Sequence, residues 1–162
     1  MSSALDVLAG RGRYGVDHAE CGAWLAGFPA ASVHCCVTSP PYYSLRDYGT
    51  AGQIGLEDTP DAYVARLVAV FREVRRVLRD DGTLWLNLGD SYANDAKTGP
   101  KSADSSTLTG DREYQPAVQR PWRNADGVKK KDLLMIPARV ALAMQADGWY
   151  LRQQIPWVKR TA

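Results

Sequence analysis

The chain has 162 residues, which suits one domain, and 45% of them are hydrophobic, as in ordinary globular proteins. Its formal net charge of +2 does not by itself indicate a nucleic-acid-binding protein, so any basic surface must come from local clustering. The N-terminus lacks the basic and apolar regions of a secretory signal, and no apolar run is long enough to span a membrane. These features predict a cytoplasmic protein that makes no membrane contact.

The cysteines and histidines do not indicate a metal site or a disulfide framework. The sequence contains 3 cysteines (Cys21, Cys35 and Cys36), an odd number with an adjacent pair and without the spacing of a zinc site. Cys35 and Cys36 lie in an apolar run, so we expect them to be buried, reduced and inert. His18 and His34 are interpreted as structural, and no metal site is predicted.

The first clear element is a buried strand over residues 31–37, which ends where Pro40 and Pro41 remove the N–H groups that a sheet requires. A helix follows over residues 60–79. Thr59 is a favourable N-cap residue, and Pro60 suits the first helical position because its φ is already fixed. Its apolar face is predicted to comprise Tyr63, Leu67, Val70, Val74 and Val77.

A second buried strand is predicted over residues 83–88, directly after Gly82, which should end the helix in a left-handed conformation. A strand, a helix and another strand in this order are typical of a βαβ unit in a parallel sheet.

The periodic pattern is lost over residues 92–128, which we interpret as a flexible or disordered insertion within a single domain covering residues 1–162. A second helix is predicted over residues 132–146, with Leu133, Ile136, Val140 and Met144 on one face and Gly148 beyond its end. Because Pro137 is tolerated only within the first turn, we expect the start nearer Leu134 than Lys131. Alternation over residues 149–157 predicts a third strand.

The segment Thr38-Ser39-Pro40-Pro41-Tyr42 stands where open α/β sheets bind ligands, at the carboxyl end of a strand. Pro41 holds Pro40 in an extended conformation, which can direct the Pro40 carbonyl into a cleft beside the Ser39 hydroxyl. Two oxygens and the flat ring of Tyr42 suit a planar base that carries an amino group. The alternative is a strand ended by prolines with a packed tyrosine.

This segment resembles the (Ser/Asp)-Pro-Pro-(Tyr/Phe/Trp) signature of DNA methyltransferases that modify adenine N6 or cytosine N4. Further segments of the chain are similar to those that follow the signature in bacterial and phage members of the family: residues 44–49, 52–57, 84–92, 131–133 with 136–137, and 147–152 with Trp157 and Lys159. The resemblance implies an α/β fold with a partial Rossmann-like methyltransferase sheet, three-layered and mostly parallel. It implies S-adenosylmethionine as cofactor and double-stranded DNA as partner.

The family also implies a mechanism. The target base turns out of the duplex into the pocket, where Ser39 and the Pro40 carbonyl bind its amino group and Tyr42 stacks on its ring. Ser39, Pro40, Pro41 and Tyr42 are therefore the candidate catalytic residues. A serine rather than an aspartate at this position leans toward cytosine N4, although adenine enzymes also carry it.

Two residues are assigned to the cofactor by the resemblance. Thr38 opens the signature, and Glu20 stands where the family has an aspartate that contacts the adenosine of the cofactor. Glu20 could equally be a solvated helix cap. The stretch from Gly10 to Gly15 fits G-x-G-x-x-G, but neither a strong strand before it nor a clear helix after it completes a dinucleotide site.

Basic residues supply the candidate DNA contacts. Arg46 suits a phosphate or a base edge, or else a surface ion pair with Asp47 or Glu57. Lys129, Lys130 and Lys131 could neutralise phosphates, or could form a solvated loop.

The sequence has no Phe-x-Gly-Ser-Gly-Thr-like cofactor turn, which the resemblance places near the C-terminus of this subgroup. The chain therefore resembles an N-terminal catalytic portion that lacks the cofactor-binding half. We expect a truncated or split methyltransferase, completed by a C-terminal half or by a homo-oligomer. The alternatives are a non-catalytic DNA- or partner-binding remnant, and a nucleotide-binding oxidoreductase that uses residues 10–15.

Overall fold

The computed structural model describes residues 3–93 and 128–158 of the chain. Their elements, in order, are α1 (Ala4–Leu8), α2 (Cys21–Ala26), β1 (Val33–Thr38), α3 (Pro60–Val77), β2 (Leu78–Leu86) and α4 (Ile136–Ala146). Strands β1 and β2 pair in parallel, and α3 connects them. The described residues thus form a small α/β unit, which confirms the predicted βαβ pattern.

Helix α3 begins where the sequence predicts. The Thr59 side chain accepts a hydrogen bond from the backbone N–H of Ala62 at 3.1 Å, and Pro60 occupies the first turn. The helix ends at Val77, two residues before the predicted end, because Leu78 already pairs with Val33 in the sheet.

The apolar face of α3 forms the centre of the hydrophobic core. Tyr63, Leu67 and Phe71 are almost completely buried, and Val74 and Val77 are buried with them. Full burial of one such side chain stabilises a fold by roughly 1.5–3 kcal/mol. The predicted face is therefore confirmed, with Val70 only partly buried at its edge.

The predicted left-handed helix end at Gly82 is wrong. Gly82 lies inside β2, within a shift of register, since Val33 pairs with Leu78 but Cys35 pairs with Thr83. A Cβ at Gly82 would lie 3.2 Å from the carbonyl oxygen of His34. Glycine is thus explained here by close backbone approach at an irregular strand pair.

Within the described part of the chain, one face of the two-stranded sheet packs against the core and the other face does not. Cys36, Leu84 and Leu86 are partly buried against the core. The opposite face, here called the open sheet face, is formed by Cys35, Val37, Thr83 and Trp85, with Val37 78% and Trp85 54% exposed.

The expectation of fully buried strands, and of a buried Cys35, is therefore wrong. No helix among the described residues packs on the open sheet face, so the described helices cover only the opposite side of the β1–β2 sheet. Cys21, Cys35 and Cys36 are free thiols, as predicted, and burial raises the pKa of the half-buried Cys36 thiol.

Helix α4 begins at Ile136, later than the predicted start between residues 132 and 134, and Pro137 lies in its first turn as predicted. Gly148 follows its end with a left-handed φ of 97°. Leu133 was predicted on the helix face. It lies instead before the helix, in an antiparallel bridge with Tyr92, and the buried residue at this point is Leu134.

The predicted third strand is wrong, because residues 149–158 form no strand in the structure. Tyr150 is 88% exposed and Trp157 is 80% exposed. The segment has strand-like alternation but finds no neighbouring strand within the described ranges, and a strand requires a partner for its backbone groups. The predicted insertion over residues 92–128 lies almost wholly outside the described residues. No helix that the structure describes is both long and apolar enough to cross a membrane.

Candidate functional site

The carboxyl ends of β1 and β2 lie side by side. Thr38, the last residue of β1, is in register with Leu86, and its carbonyl accepts a hydrogen bond from the N–H of Asn87 at 2.9 Å. The segments that follow are the diproline loop, residues 39–44, and residues 87–91. The predicted motif is thus at the sheet edge where parallel α/β folds bind ligands.

The diproline loop presents oxygen atoms at the surface. Ser39 is exposed, and its hydroxyl donates to the phenolic oxygen of Tyr42 at 3.3 Å. Tyr42 and Pro40 are half-buried. Among the described residues, none donates a hydrogen bond to the Pro40 carbonyl. A hydroxyl, a carbonyl and an aromatic ring therefore occur together at an accessible position.

Helix α3 contacts the diproline loop through Tyr63. The hydroxyl of Tyr63, whose residue is 0% exposed, donates to the carbonyl of Pro41 at 2.8 Å. The ring of Tyr63 packs against the ring of Tyr43 with centroids 5.4 Å apart. Burial raises the pKa of the Tyr63 hydroxyl above its usual range, so this group stays protonated as a donor.

A turn over residues 52–57, the support turn, holds the far end of the loop. The carbonyl of Gly55 accepts from the N–H of Ser44 at 2.7 Å. Gly55 has a φ of 101°, and a Cβ there would lie 2.9 Å from the carbonyl oxygen of Tyr42, so only glycine fits without displacement.

Arg66 of α3 fixes the support turn. Its guanidinium pairs with Glu57 at 3.1 Å and donates to the carbonyls of Gln53, at 3.0 Å, and Gly52. The sequence interpretation included residues 52–57 only through the resemblance and missed the supporting roles of Tyr63 and Arg66. Helical periodicity placed Tyr63 in the core but carried no signal that its hydroxyl reaches the motif.

Gly89 borders the ring of Tyr42. A Cβ at Gly89 would lie 2.8 Å from two carbon atoms of that ring, so the backbone at Gly89 approaches the ring closely. The loop after β2 therefore helps to set the position of the Tyr42 ring.

The two predicted cofactor residues lie on separate elements. Thr38 is half-buried at the end of β1. Glu20 is exposed and caps α2, accepting from the N–H of Ala23 at 2.8 Å, and this bond holds the pKa of the Glu20 carboxyl below its usual value. The cap is one of the two roles that the sequence left open, and contact with a cofactor stays a prediction.

The predicted DNA-binding residues are all exposed. The ion-pair alternative for Arg46 is not found within the described residues, since Asp47 accepts from the N–H of Gly49 and Glu57 pairs with Arg66. Lys131 lies beside the segment that follows β2, because its N–H donates to the carbonyl of Ala93 at 2.5 Å, and Lys129 and Lys130 precede it in the chain.

Residues 10–15 follow helix α1 rather than a strand. Gly10 has a left-handed φ of 74° directly after this helix. The strand that a dinucleotide-binding turn requires is therefore not what precedes these glycines, which removes the basis of the oxidoreductase alternative.

A basic concave surface near the C-terminal end of α3 is a structural junction. It is lined by Arg72, Arg75, Arg76 and Asp147. Arg72 pairs with Asp147 at 2.5 Å, and Arg75 donates to the Asp147 carbonyl at 2.9 Å, so α3 is tied to the end of α4. Arg76 donates to the carbonyl of Phe28.

A parallel α/β unit with a Thr-Ser-Pro-Pro-Tyr loop at its carboxyl edge is the arrangement of a DNA methylase. The family model described as DNA methylase, for enzymes of the N6 and N4 type, matches residues 33–162. The chain belongs to this family of DNA amino-methyltransferases.

Individual relatives are named type II methyltransferases. The chain is 49% identical over 146 residues to M.XycI of Xanthomonas campestris pv. cyanopsidis, covering 85% of this chain and 44% of the relative. It is 47% identical to M.SmaI of Serratia marcescens (82% and 43% covered) and 46% identical to M.Cfr9I of Citrobacter freundii (85% and 44% covered). The chain thus spans less than half the length of these relatives. No solved structure gives a significant match.

Proposed function

We propose that this chain binds a base turned out of double-stranded DNA and holds its exocyclic amino group for methylation, at N4 of cytosine or N6 of adenine. The observation that supports this most directly is the diproline loop itself. The Ser39 hydroxyl lies 3.3 Å from the Tyr42 hydroxyl, beside a Pro40 carbonyl to which no described residue donates.

The base side of the reaction follows from these groups. The Ser39 oxygen and the Pro40 carbonyl accept the hydrogens of the amino group, which orients its lone pair out of the plane of the base. Tyr42 stacks on the base, a contact worth roughly 1–3 kcal/mol. A serine hydroxyl is a weak base, so these residues act by orienting the amino group and not by removing its proton.

S-adenosylmethionine, the donor that the family implies, supplies an electrophilic methyl group when bound. The residues of this chain fit only part of a donor site. Glu20 and Thr38 offer oxygens, but the Glu20 carboxylate already accepts from the N–H of Ala23, and the sequence contains no glycine-rich cofactor turn. We therefore derive no catalytic step from the donor side.

We infer that the rest of the donor site comes from the part of the relatives that this chain does not match. The open sheet face supports this, because Val37 and Trp85 form an exposed apolar pair on it. A complementing portion that places helices on this face would complete a three-layer fold around a mostly parallel sheet. A second copy of this chain is the alternative occupant.

The proposal is tested by methylation of unmodified DNA with labelled S-adenosylmethionine. The chain would be assayed alone, mixed with the unmatched portion of M.XycI, and fused to that portion. Nucleoside analysis should find N4-methylcytosine or N6-methyladenine in at least one arm. C5-methylcytosine, or no methylation in any arm by folded protein, would contradict the proposal.

A DNA-binding role without catalysis is the second candidate. The exposed Arg46, together with Lys129, Lys130 and Lys131, supports it, since exposed cations near a base site can bind phosphates without a donor. DNA binding that weakens with salt in the absence of methylation in every arm would favour this candidate.

A further inference from the structure

We propose that Tyr63 is a positioning residue for the base site, because its buried hydroxyl binds the Pro41 carbonyl and thereby fixes the diproline corner that presents Ser39, the Pro40 carbonyl and Tyr42. This inference rests on the proposed function for its consequence in catalysis. Its structural part concerns the diproline loop alone and can be tested without any methylation.

The two consecutive prolines have no backbone N–H groups, and the hydroxyl of Tyr63 supplies a hydrogen-bond donor at this corner. Proline has no N–H, so Pro40 and Pro41 cannot fix the corner through their own backbone donors. A donor from elsewhere has to bind a carbonyl of the corner. Tyr63 provides one at 2.8 Å from a helix 22 residues away in sequence.

The bond from Tyr63 occupies the Pro41 carbonyl and not the Pro40 carbonyl. Pro40 precedes Pro41 and is therefore held in an extended conformation. Pro40 accepts no hydrogen bond from the described residues, as expected for a group left for a ligand.

The position of Tyr63 is itself well fixed. The residue is 0% exposed, and its ring packs against Tyr43, which directly follows the motif in the diproline loop. One turn further along α3, Arg66 binds the support turn, whose Gly55 carbonyl holds the N–H of Ser44. Helix α3 thus anchors the diproline loop at both its corner and its far end.

The substitution Tyr63→Phe tests the structural part, since it removes the hydroxyl and keeps the ring. Hydrogen exchange would be measured residue by residue on the chain. The amides of Ser44 and Leu45, which bond to Gly55 and Tyr42, should exchange at least about tenfold faster, while amides inside α3 keep their rates. Phe71→Leu, a core substitution in the same helix, is the matched control and should not loosen Ser44 and Leu45 selectively.

The catalytic part is tested in whichever arm of the methylation assay is active. Tyr63→Phe should lower kcat by between about 10-fold and about 100-fold, because small misplacements of reacting groups have effects of this size, and should leave the KM for the donor unchanged. Phe71→Leu should keep kcat when normalised to folded protein. Unchanged exchange at Ser44 and Leu45, or an unchanged kcat in an active wild-type background, would overturn the inference. An inactive wild type with faster exchange in Tyr63→Phe would count against the proposed function and not against the positioning role.

Discussion

The carboxylate of Asp90 accepts a hydrogen bond from the backbone N–H of Ile136 at 3.0 Å and thereby joins the segment after β2 to the first residue of α4. Met135, at the N-cap position, has a left-handed φ of 55° and supplies no side-chain acceptor. Asp90 therefore acts as the cap of α4 from 46 residues away in sequence.

Replacing Asp90 with alanine should lower the free energy of unfolding by about 1 kcal/mol, the usual effect of losing a helix cap. Urea denaturation of the chain measures this. Asp90→Asn keeps a side-chain oxygen and should lose clearly less stability. Equal losses for the two variants would show that the carboxylate acts through its charge rather than as an acceptor for Ile136.

The pocket assignment predicts that Ser39→Ala and Tyr42→Ala abolish most methylation without unfolding the chain, because Ser39 is exposed and Tyr42 is only half-buried. Labelled methyl transfer by the active form, alongside far-UV circular dichroism, measures both quantities. Ser32→Ala, before β1, is a serine control at an exposed hydrogen bond and should keep its rate. Near-normal rates for both loop variants would end the assignment.

Gly89→Ala should disturb the ring of Tyr42, since the added Cβ would lie 2.8 Å from two of its carbons. If the ring shifts and stacking weakens, kcat/KM for DNA should fall by about tenfold, which corresponds to about 1.4 kcal/mol. Gly27→Ala is a matched control, because a Cβ there would meet its nearest atom at 3.4 Å. An unaltered kcat/KM in Gly89→Ala would mean that the ring yields without loss of base binding.

The buried hydroxyl of Tyr63 predicts a pH dependence of stability. Burial raises its pKa in the folded chain, whereas in the unfolded chain a tyrosine ionises near about 10. Above that pH the folded state retains a proton that the unfolded state has lost, so stability falls as pH rises, by at most about 1.4 kcal/mol per pH unit for this group. Urea titrations between about pH 8 and pH 11 should show a weaker fall in Tyr63→Phe. Identical pH profiles would contradict the raised pKa.

The open sheet face predicts a surface substitution that affects association and not folding. Trp85→Lys should change the free energy of unfolding of the chain by less than about 0.5 kcal/mol, because Trp85 is 54% exposed. It should nevertheless weaken binding to the complementing portion. Leu142→Lys, at an exposed position of α4 away from the open sheet face, is the control. Titration calorimetry compares the two, and equal affinities for the complementing portion would place its contact elsewhere.

Local chemistry made much of the fold predictable. Thr59 and Pro60 fixed the start of α3, and the spacing of Tyr63, Leu67 and Val74 gave its buried face. Errors arose where tertiary partners decide the outcome. Gly82 sits within a shift of strand register, and residues 149–158 lack a neighbouring strand within the described part of the chain.

The candidate site was predictable in its motif but not in its supports. Thr38 to Tyr42 stood out because two prolines end a strand at the ligand-binding edge of a sheet. The bond from Tyr63 to Pro41 and the contact of Gly89 with Tyr42 join residues that are distant in sequence. No periodicity or local spacing encodes such contacts, so they required coordinates.

The supports of the diproline loop all belong to one continuous stretch. Tyr63 and Arg66 lie on α3, the support turn precedes that helix, and Gly89 follows β2. Residues 33–93 therefore contain both the motif and the residues that hold it in position. We expect this segment to be exchangeable as a block between relatives. Placing the pentapeptide alone at the end of a strand in another parallel sheet would reproduce the sequence of the motif but not its conformation.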